Sequence, residues 1–303
     1  TTRFLETGLG WSGATLTNPV VRDGVVVSGT FTGVRPVLRN DLNEGEDKLF
    51  AIGWNNQWEI AEGTMMEFDV SHSSADRRES LLETYAGTRA GVTDTVNFTL
   101  DPNGAPNLDF GLDYTDPNLI VLTDPGGWGQ NGYIKTPEVE DTLTSFRLGL
   151  EQSFVDGAIS SIEAGVNYAD REKSRRVPEA FLDLIGGPEV SIPASFLRNP
   201  ANLSFTGIPG TIAYDINGVL AQFYTLRDNI NADIVNKQWT VNESTITTYA
   251  QANLDTEWFS VPVRGNIGVQ AVTVDQSSDG FSVIQGDAAN AVTFSGQSNY
   301  TDI

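Results

Sequence analysis

The chain has 303 residues, 39% hydrophobic and 19% charged, with 30 glycines and a formal charge of −22. That balance excludes a disordered or collagen-like polymer, and the acidity repels a phosphate backbone, so no nucleic-acid partner is expected. The lack of cysteine removes disulfides, thiolate metal sites and cysteine nucleophiles, and a lone histidine, His72, rules out a multi-histidine zinc site and argues against a Ser-His-Asp triad.

No run of 18 apolar residues is present, so no transmembrane helix is expected; barrel strands would leave only a weak hydropathy signal. The opening "TTRFLETGLG" has neither the basic start nor the apolar core of a signal peptide, so the expectation is a mature start or a piece of a longer chain. "GLGWSG" sets Gly8, Gly10 and Gly13 in G-x-G-x-x-G spacing, but the β-prone "ATLTNPVV" follows where a dinucleotide site needs a helix, and a flexible loop is expected.

A strand is expected over residues 24–34. Residues 49–73 then alternate for longer than a typical strand. Phe50, Ile52, Trp54, Trp58 and Ile60 share one parity, and Asn55, Gln57 and Glu59 the other. After the short "AEGT" turn, Met66, Phe68, Val70 and His72 oppose Met65, Glu67, Asp69 and Ser71. A second hairpin follows: Phe146, Leu148, Leu150 and Phe154 oppose Arg147, Gly149 and Glu151. "DG" at Asp156–Gly157 marks its turn, and the return arm sets Ile162, Ala164, Val166 and Tyr168 against Glu163, Gly165 and Asn167. In a third, Ile246, Thr248, Ala250, Ala252 and Leu254 are the less polar face. Tyr249 blurs the other side, and Val263, Ile267, Val269 and Ala271 oppose Arg264, Asn266 and Gln270.

Between these hairpins, residues 78–142 and 171–237 read as long Asp-, Asn-, Gly- and Pro-rich loops, with a short helix expected in "INGVLAQFYTLRDNI" through Val219, Leu220, Phe223 and Leu226. Short turns alternating with long excursions, and strands of about 10–15 residues, fit a transmembrane barrel, whose tilted crossings need about 9–11 residues. The expected fold is therefore all-β: an antiparallel transmembrane β-barrel, present as a partial, open segment with long extracellular loops. The alternative is a secreted acidic β-sandwich or β-solenoid that binds or degrades polysaccharide, its greasy face packed inward.

Several stretches resemble one family. "EFDVSHSSADRRES" is similar to a strand ending in Ser-x-Ala-x-Arg, and "IEAGVNYADREKSRR" to a Gly-x-x-Tyr-x-x-Arg-Glu-Lys strand end. "TTYAQANLDTEWFSVPVRGNIGVQAVTVDQSSDG" resembles a hairpin with Tyr-Ala-Gln before Pro-x-Arg-Gly-Asn-x-Gly, and "SNYTDI" the start of a Tyr-Thr-Asp-x-Leu-Pro-Ser motif. The family is that of TonB-dependent outer-membrane receptors of the Caulobacter and Xanthomonas type. The likeness runs from about residue 24 onward and is most specific over 240–280; Gln270, where the family usually has Arg, departs from it.

The resemblance implies that residues 1–303 are an internal part of the barrel domain, without the N-terminal plug and the last strands. It implies location in the outer membrane of a Gram-negative bacterium, with outer-membrane lipid, the TonB complex (through the plug region) and a small solute as partners. The solute would be an oligosaccharide or a ferric siderophore. No enzymatic activity, cofactor or metal is expected. Glu59, Glu67, Asp69, Arg147, Glu151, Glu163 and Arg264 would then face the lumen. Loop aromatics Trp128, Tyr133, Phe223 and Tyr224 are the candidate ligand contacts, since rings stack on sugars and aromatic chelators alike.

Overall fold

The computed structural model describes residues 2–101, 106–204 and 208–303. In chain order the strands are β1 (Thr2–Ser12), β2 (Thr15–Arg22), β3 (Val25–Ala61), β4 (Thr64–Thr88), β5 (Asp94–Thr99), β6 (Asn107–Phe110), β7 (Ile120–Thr123), β8 (Gly132–Lys135), β9 (Glu138–Ser153) and β10 (Ile159–Arg176). They continue with β11 (Glu179–Leu184), β12 (Glu189–Val190), β13 (Leu197–Leu203), β14 (Ile208–Tyr214), helix α1 (Ile216–Phe223), β15 (Tyr224–Asp228) and helix α2 (Ala232–Val235). β16 (Trp239–Trp258), β17 (Val261–Val283) and β18 (Ala291–Asp302) complete the chain. The strand pairings among the described residues are antiparallel, and the main sheet is not closed on itself.

Two compact units are present. One comprises residues up to Gly45, Glu79–Thr136 and Pro178–Asn229. The other comprises Glu46–Arg78, Pro137–Val177 and Ile230–Ile303.

In the second unit, strands follow one another as neighbours: β3 pairs with β4, then the order runs β4-β9-β10-β16-β17-β18. Gly63, at φ 69°, closes the β3/β4 turn, and Gly157, at φ 108°, sits in the β9/β10 connection where "DG" marks a turn. The β16/β17 turn is also a two-residue loop: Phe259 and Ser260 both take positive φ (49° and 64°), as a hairpin loop compatible with strand twist requires. Registers run without interruption, Met65↔Glu151 through Arg78↔Glu138 and Ser161↔Ser153 through Arg176↔Glu138, so residues of one parity stay on one face from strand to strand.

The first unit differs from the expected long loops. Its segments carry short strands and bury a core of Leu38, Leu42, Leu82, Ala86, Ile120, Leu122, Leu182, Ile212, Tyr214 and Val219. Within the described residues these Pro- and Gly-rich stretches are thus structured, because bursts such as "IVLT" (β7, buried throughout) supply apolar surface between the turns. The chain over Val25–Ala61 is also one continuous strand. Pro36 and the charges of "RPVLRNDLNEGEDK" suggest a break, yet Pro36 pairs opposite Trp11 while Leu38 and Leu42 enter the core and Asn40 donates to the Ile212 carbonyl at 3.2 Å. The expected helix stops at Phe223. Asp215 caps it by accepting from Gly218 N (3.1 Å), and the chain then turns extended at Tyr224, so Leu226 lies on β15 and is exposed. Gly8 and Gly10 lie inside β1, opposite Arg39 and Val37, which leaves no phosphate-binding loop there.

Leu182 is fully buried in this core. Leu182→Ala is expected to destabilise the first unit by about 2–5 kcal/mol, as cavity-forming truncations do, read as a lowered urea midpoint with an unchanged slope.

Candidate functional site

On the odd-numbered face of the second unit's sheet, Arg147 is the hub. Its Nη2 donates to the Tyr249 hydroxyl at 3.0 Å and lies 3.5 Å from Glu163 Oε1 and 3.7 Å from Glu67 Oε2. Tyr249 donates in turn to Glu163 Oε1 at 2.7 Å, and Asn55 donates to Glu67 (3.1 Å) and Asp69 (3.3 Å). Asn55, Glu67, Asp69, Arg147, Glu163 and Tyr249 come from β3, β4, β9, β10 and β16, brought together by register alone. Glu151 joins the same shallow cleft with Gln57, Met65 and Gly149. Arg264 pairs with Asp255 at 3.1 Å on an exposed part of the β16/β17 hairpin, and Glu59 is exposed on β3.

Tyr249, which blurred the sequence pattern, has a steric explanation. A Cβ at Gly165 would sit 2.7 Å from its hydroxyl and 2.8 Å from its Cε1, and one at Gly149 would sit 3.4 Å from the hydroxyl. The ring therefore lies over two facing glycines (Gly165↔Gly149), covering backbone that lacks side chains of its own. A large residue directly opposite small ones on the neighbouring strand is the signal that sequence reading passed over.

The opposite face, even-numbered on β3, β4, β9, β10 and β16, is apolar and exposed among the described residues. Phe50, Ile52, Trp54, Trp58 and Ile60 on β3, Leu150 on β9, Ile162 and Tyr168 on β10, and Ile246 on β16 are exposed, as are Ile267 and Val269 on β17, where the register (Ala252↔Ile267) reverses the parity. Trp54, Phe68 and Phe146 form an edge-to-face series with centroids 5.4 and 5.1 Å apart, and His72 Nδ1 lies 2.9 Å from Thr144 Oγ1. Along β16 the burial alternates, Ile246, Thr248 and Ala250 exposed and Thr245, Thr247 and Tyr249 half-buried.

In the first unit the four loop aromatics have different fates. Tyr224 is 7% exposed and belongs to the core, with its hydroxyl unpartnered and its ionisation pushed far up by burial. Its ring packs within the apolar cluster of the first unit. Phe223 is half-buried against Phe196, centroids 5.8 Å apart. Tyr133 is held through its hydroxyl by Glu179 and by Asn229 (2.9 Å), with Lys135 over the ring at 5.6 Å. Trp128 is 53% exposed and meets Tyr85 edge-on at 5.1 Å.

Beside Tyr85 lies a half-buried ionic group in which Asp41 is the buried member. Asp41 binds Arg39, which also reaches Glu83 at 3.1 Å. Desolvation raises the Asp41 carboxyl from 3.8 to about 6, against the opposing effect of Arg39 and with help from the charges of Glu83 and Glu6. Burial and the charge of Glu83 push the Tyr85 hydroxyl up to about 12, so it stays a neutral donor to Glu83 (3.3 Å). Among the described residues, no three potential ligands converge on a metal position, and no helix is long and apolar enough to cross a membrane, which says nothing of strands.

No known protein family, curated protein or solved structure matches this chain.

Two outcomes follow from this geometry. Gly165→Ala should cost about 1–3 kcal/mol in urea unfolding, because the new methyl displaces Tyr249, whereas Gly265→Ala, with open space around it, should be neutral. The folded state holds the Asp41 proton more tightly than the unfolded chain, so stability should fall as pH rises from about 4 through 6. The loss is on the order of 2–3 kcal/mol, and Asp41→Asn should flatten that slope in urea titrations at pH 4.5 and 7.5.

Proposed function

We propose that this chain is part of the β-barrel of a TonB-dependent outer-membrane receptor, and that the whole protein takes up a scarce solute, an oligosaccharide or a ferric siderophore, without covalent chemistry. One observation carries this reading: a sheet of neighbouring antiparallel strands has an exposed, contiguous apolar and aromatic face on one side and an ion-paired polar face on the other. Water-exposed monomers rarely tolerate large contiguous apolar patches. Acyl chains accept such a face, provided that every backbone polar group pairs within the sheet.

In this reading Phe50 and Ile52 face the acyl chains, and Trp54 and Trp58, closer to the β3/β4 turn, serve as amphipathic rings toward the headgroups. Glu59, Glu67, Asp69, Arg147, Glu151, Glu163 and Arg264 line the lumen. A plug, coupled to TonB through residues outside this chain, moves to admit the solute.

The test is fluorescence of the full-length protein reconstituted in vesicles with bromines at graded depths along the acyl chains. Trp54 and Trp58, assigned by Trp→Phe replacement, should be strongly quenched. Ile52→Arg should cost about 2–4 kcal/mol of stability in the bilayer, and Gln57→Arg, of opposite parity, much less. Absence of quenching, together with a monodisperse protein in buffer without detergent, would sink the membrane reading.

A further inference from the structure

The loop after β7, "DPGGWGQN" (residues 124–131), is held down at several points. Ser12 Oγ donates to the Pro125 carbonyl at 3.0 Å, and Asp124 Oδ2 accepts from Gly129 N at 2.7 Å. Arg227 Nη2, its guanidinium already paired with Asp183, donates to the Gly129 carbonyl at 2.9 Å. Pro125 lies against Gly87, where a Cβ would come within 2.8 Å of it, and Gly126 leaves room for the indole of Trp128, which a Cβ there would meet at 2.2 Å. Gly127 and Gly129, at φ 71° and 75°, supply the backbone turns.

This scaffold holds an indole rigid yet 53% exposed. Neighbouring rings are already engaged: Arg227 sits 4.7 Å over Phe181, Lys135 5.6 Å over Tyr133, and Tyr85 is buried beneath Trp128. A pre-ordered ring has already lost its conformational freedom, so a ligand stacking on it gains contact area at little entropic cost.

Charge selects what stacks there. The groups around the platform are three cations, the ion-paired Arg39 and Arg227 and Lys135 over Tyr133, against five carboxylates, Asp41, Glu83, Asp124, Asp183 and Glu179, on a chain of net charge −22. That field disfavours an anionic chelate. It suits a neutral ligand with an apolar C–H face for the ring and hydroxyls that donate to carboxylates such as Glu83.

We infer that Trp128, carried on the pinned 124–131 loop over Tyr85, is a stacking platform for a neutral oligosaccharide. That the glycan is a solute for uptake rests on the receptor reading; the binding is measured apart from it.

The experiment is isothermal titration of the full-length protein in detergent with maltohexaose, xylohexaose and chitohexaose, and with an anionic ferric tricatecholate, alongside Trp128→Ala and Trp128→Phe. At least one glycan should bind saturably. Trp128→Ala should weaken it tenfold or more and Trp128→Phe recover part of the loss, with the thermal midpoints of both variants unchanged. Binding of the chelate alone, no glycan binding, or glycan affinity indifferent to Trp128→Ala overturns the inference. Chelate-only binding leaves the receptor reading standing, whereas glycan binding without bilayer quenching of Trp54 and Trp58 leaves this site standing and removes that reading.

Discussion

The two-residue period of an extended strand, kept in phase across neighbours, is the constraint on which the second unit depends. One slip between β4, β9, β10 and β16 would send Arg147 and Glu163 to the apolar side and Phe146 and Ile162 to the polar side. The register avoids this over long distances: Asp69↔Arg147↔Asn167↔Thr247 form a line across four strands, and Glu67↔Gly149↔Gly165↔Tyr249 the next. The cross-strand contacts of Arg147, Tyr249 and Glu163 hold that phase from the polar side, since each would be lost together in any shifted alignment.

The two units meet the cost of chain ordering differently. The first buries Leu38, Leu82, Leu122, Leu182 and Val219 in an ordinary core, so its short strands are held by apolar burial worth about 25 cal/mol per Å². The second has few buried side chains along β9, β10 and β16, and its internal cohesion comes from long backbone ladders and pairs such as Arg171 with Asp141 (Nε–Oδ1 2.8 Å). Its apolar atoms contribute only when something outside the chain covers them.

The sequence displays the second unit far better than the first. Hairpins with clean alternation and turn signals, Phe146 to Tyr168 and Ile246 to Ala271, are legible because both neighbours of each residue repeat the same pattern. Residues 35–48 are not, because Pro36 and a run of charges imitate a turn while tertiary partners such as Ile212 keep the strand going. Tyr224 illustrates a second limit. A loop aromatic and a core aromatic look alike in one dimension, and only packing against Tyr214 and Val219 in one cluster distinguishes them. Trp128 carried a usable signal, since glycines at 126, 127 and 129 around one indole imply a backbone bent to present it.

The polar face carries more acid than its bases neutralise, and the placement follows from solvation. Glu151 stands directly opposite Glu163, a like-charge pairing that is unfavourable on a sheet. Arg147 lies within ion-pair distance of Glu163 and Glu67, but Glu151 has no comparable cation among the described residues. Such a surplus is tolerable only where water or a polar partner can solvate it; on the opposite face, among Phe68, Phe146 and Leu148, each carboxylate would lose hydration without gaining a cation. A net negative polar face disfavours a neighbouring anion, as the carboxylates around Trp128 do. Two separate parts of the chain thus carry the same imbalance, an excess of carboxylates over already-paired guanidiniums.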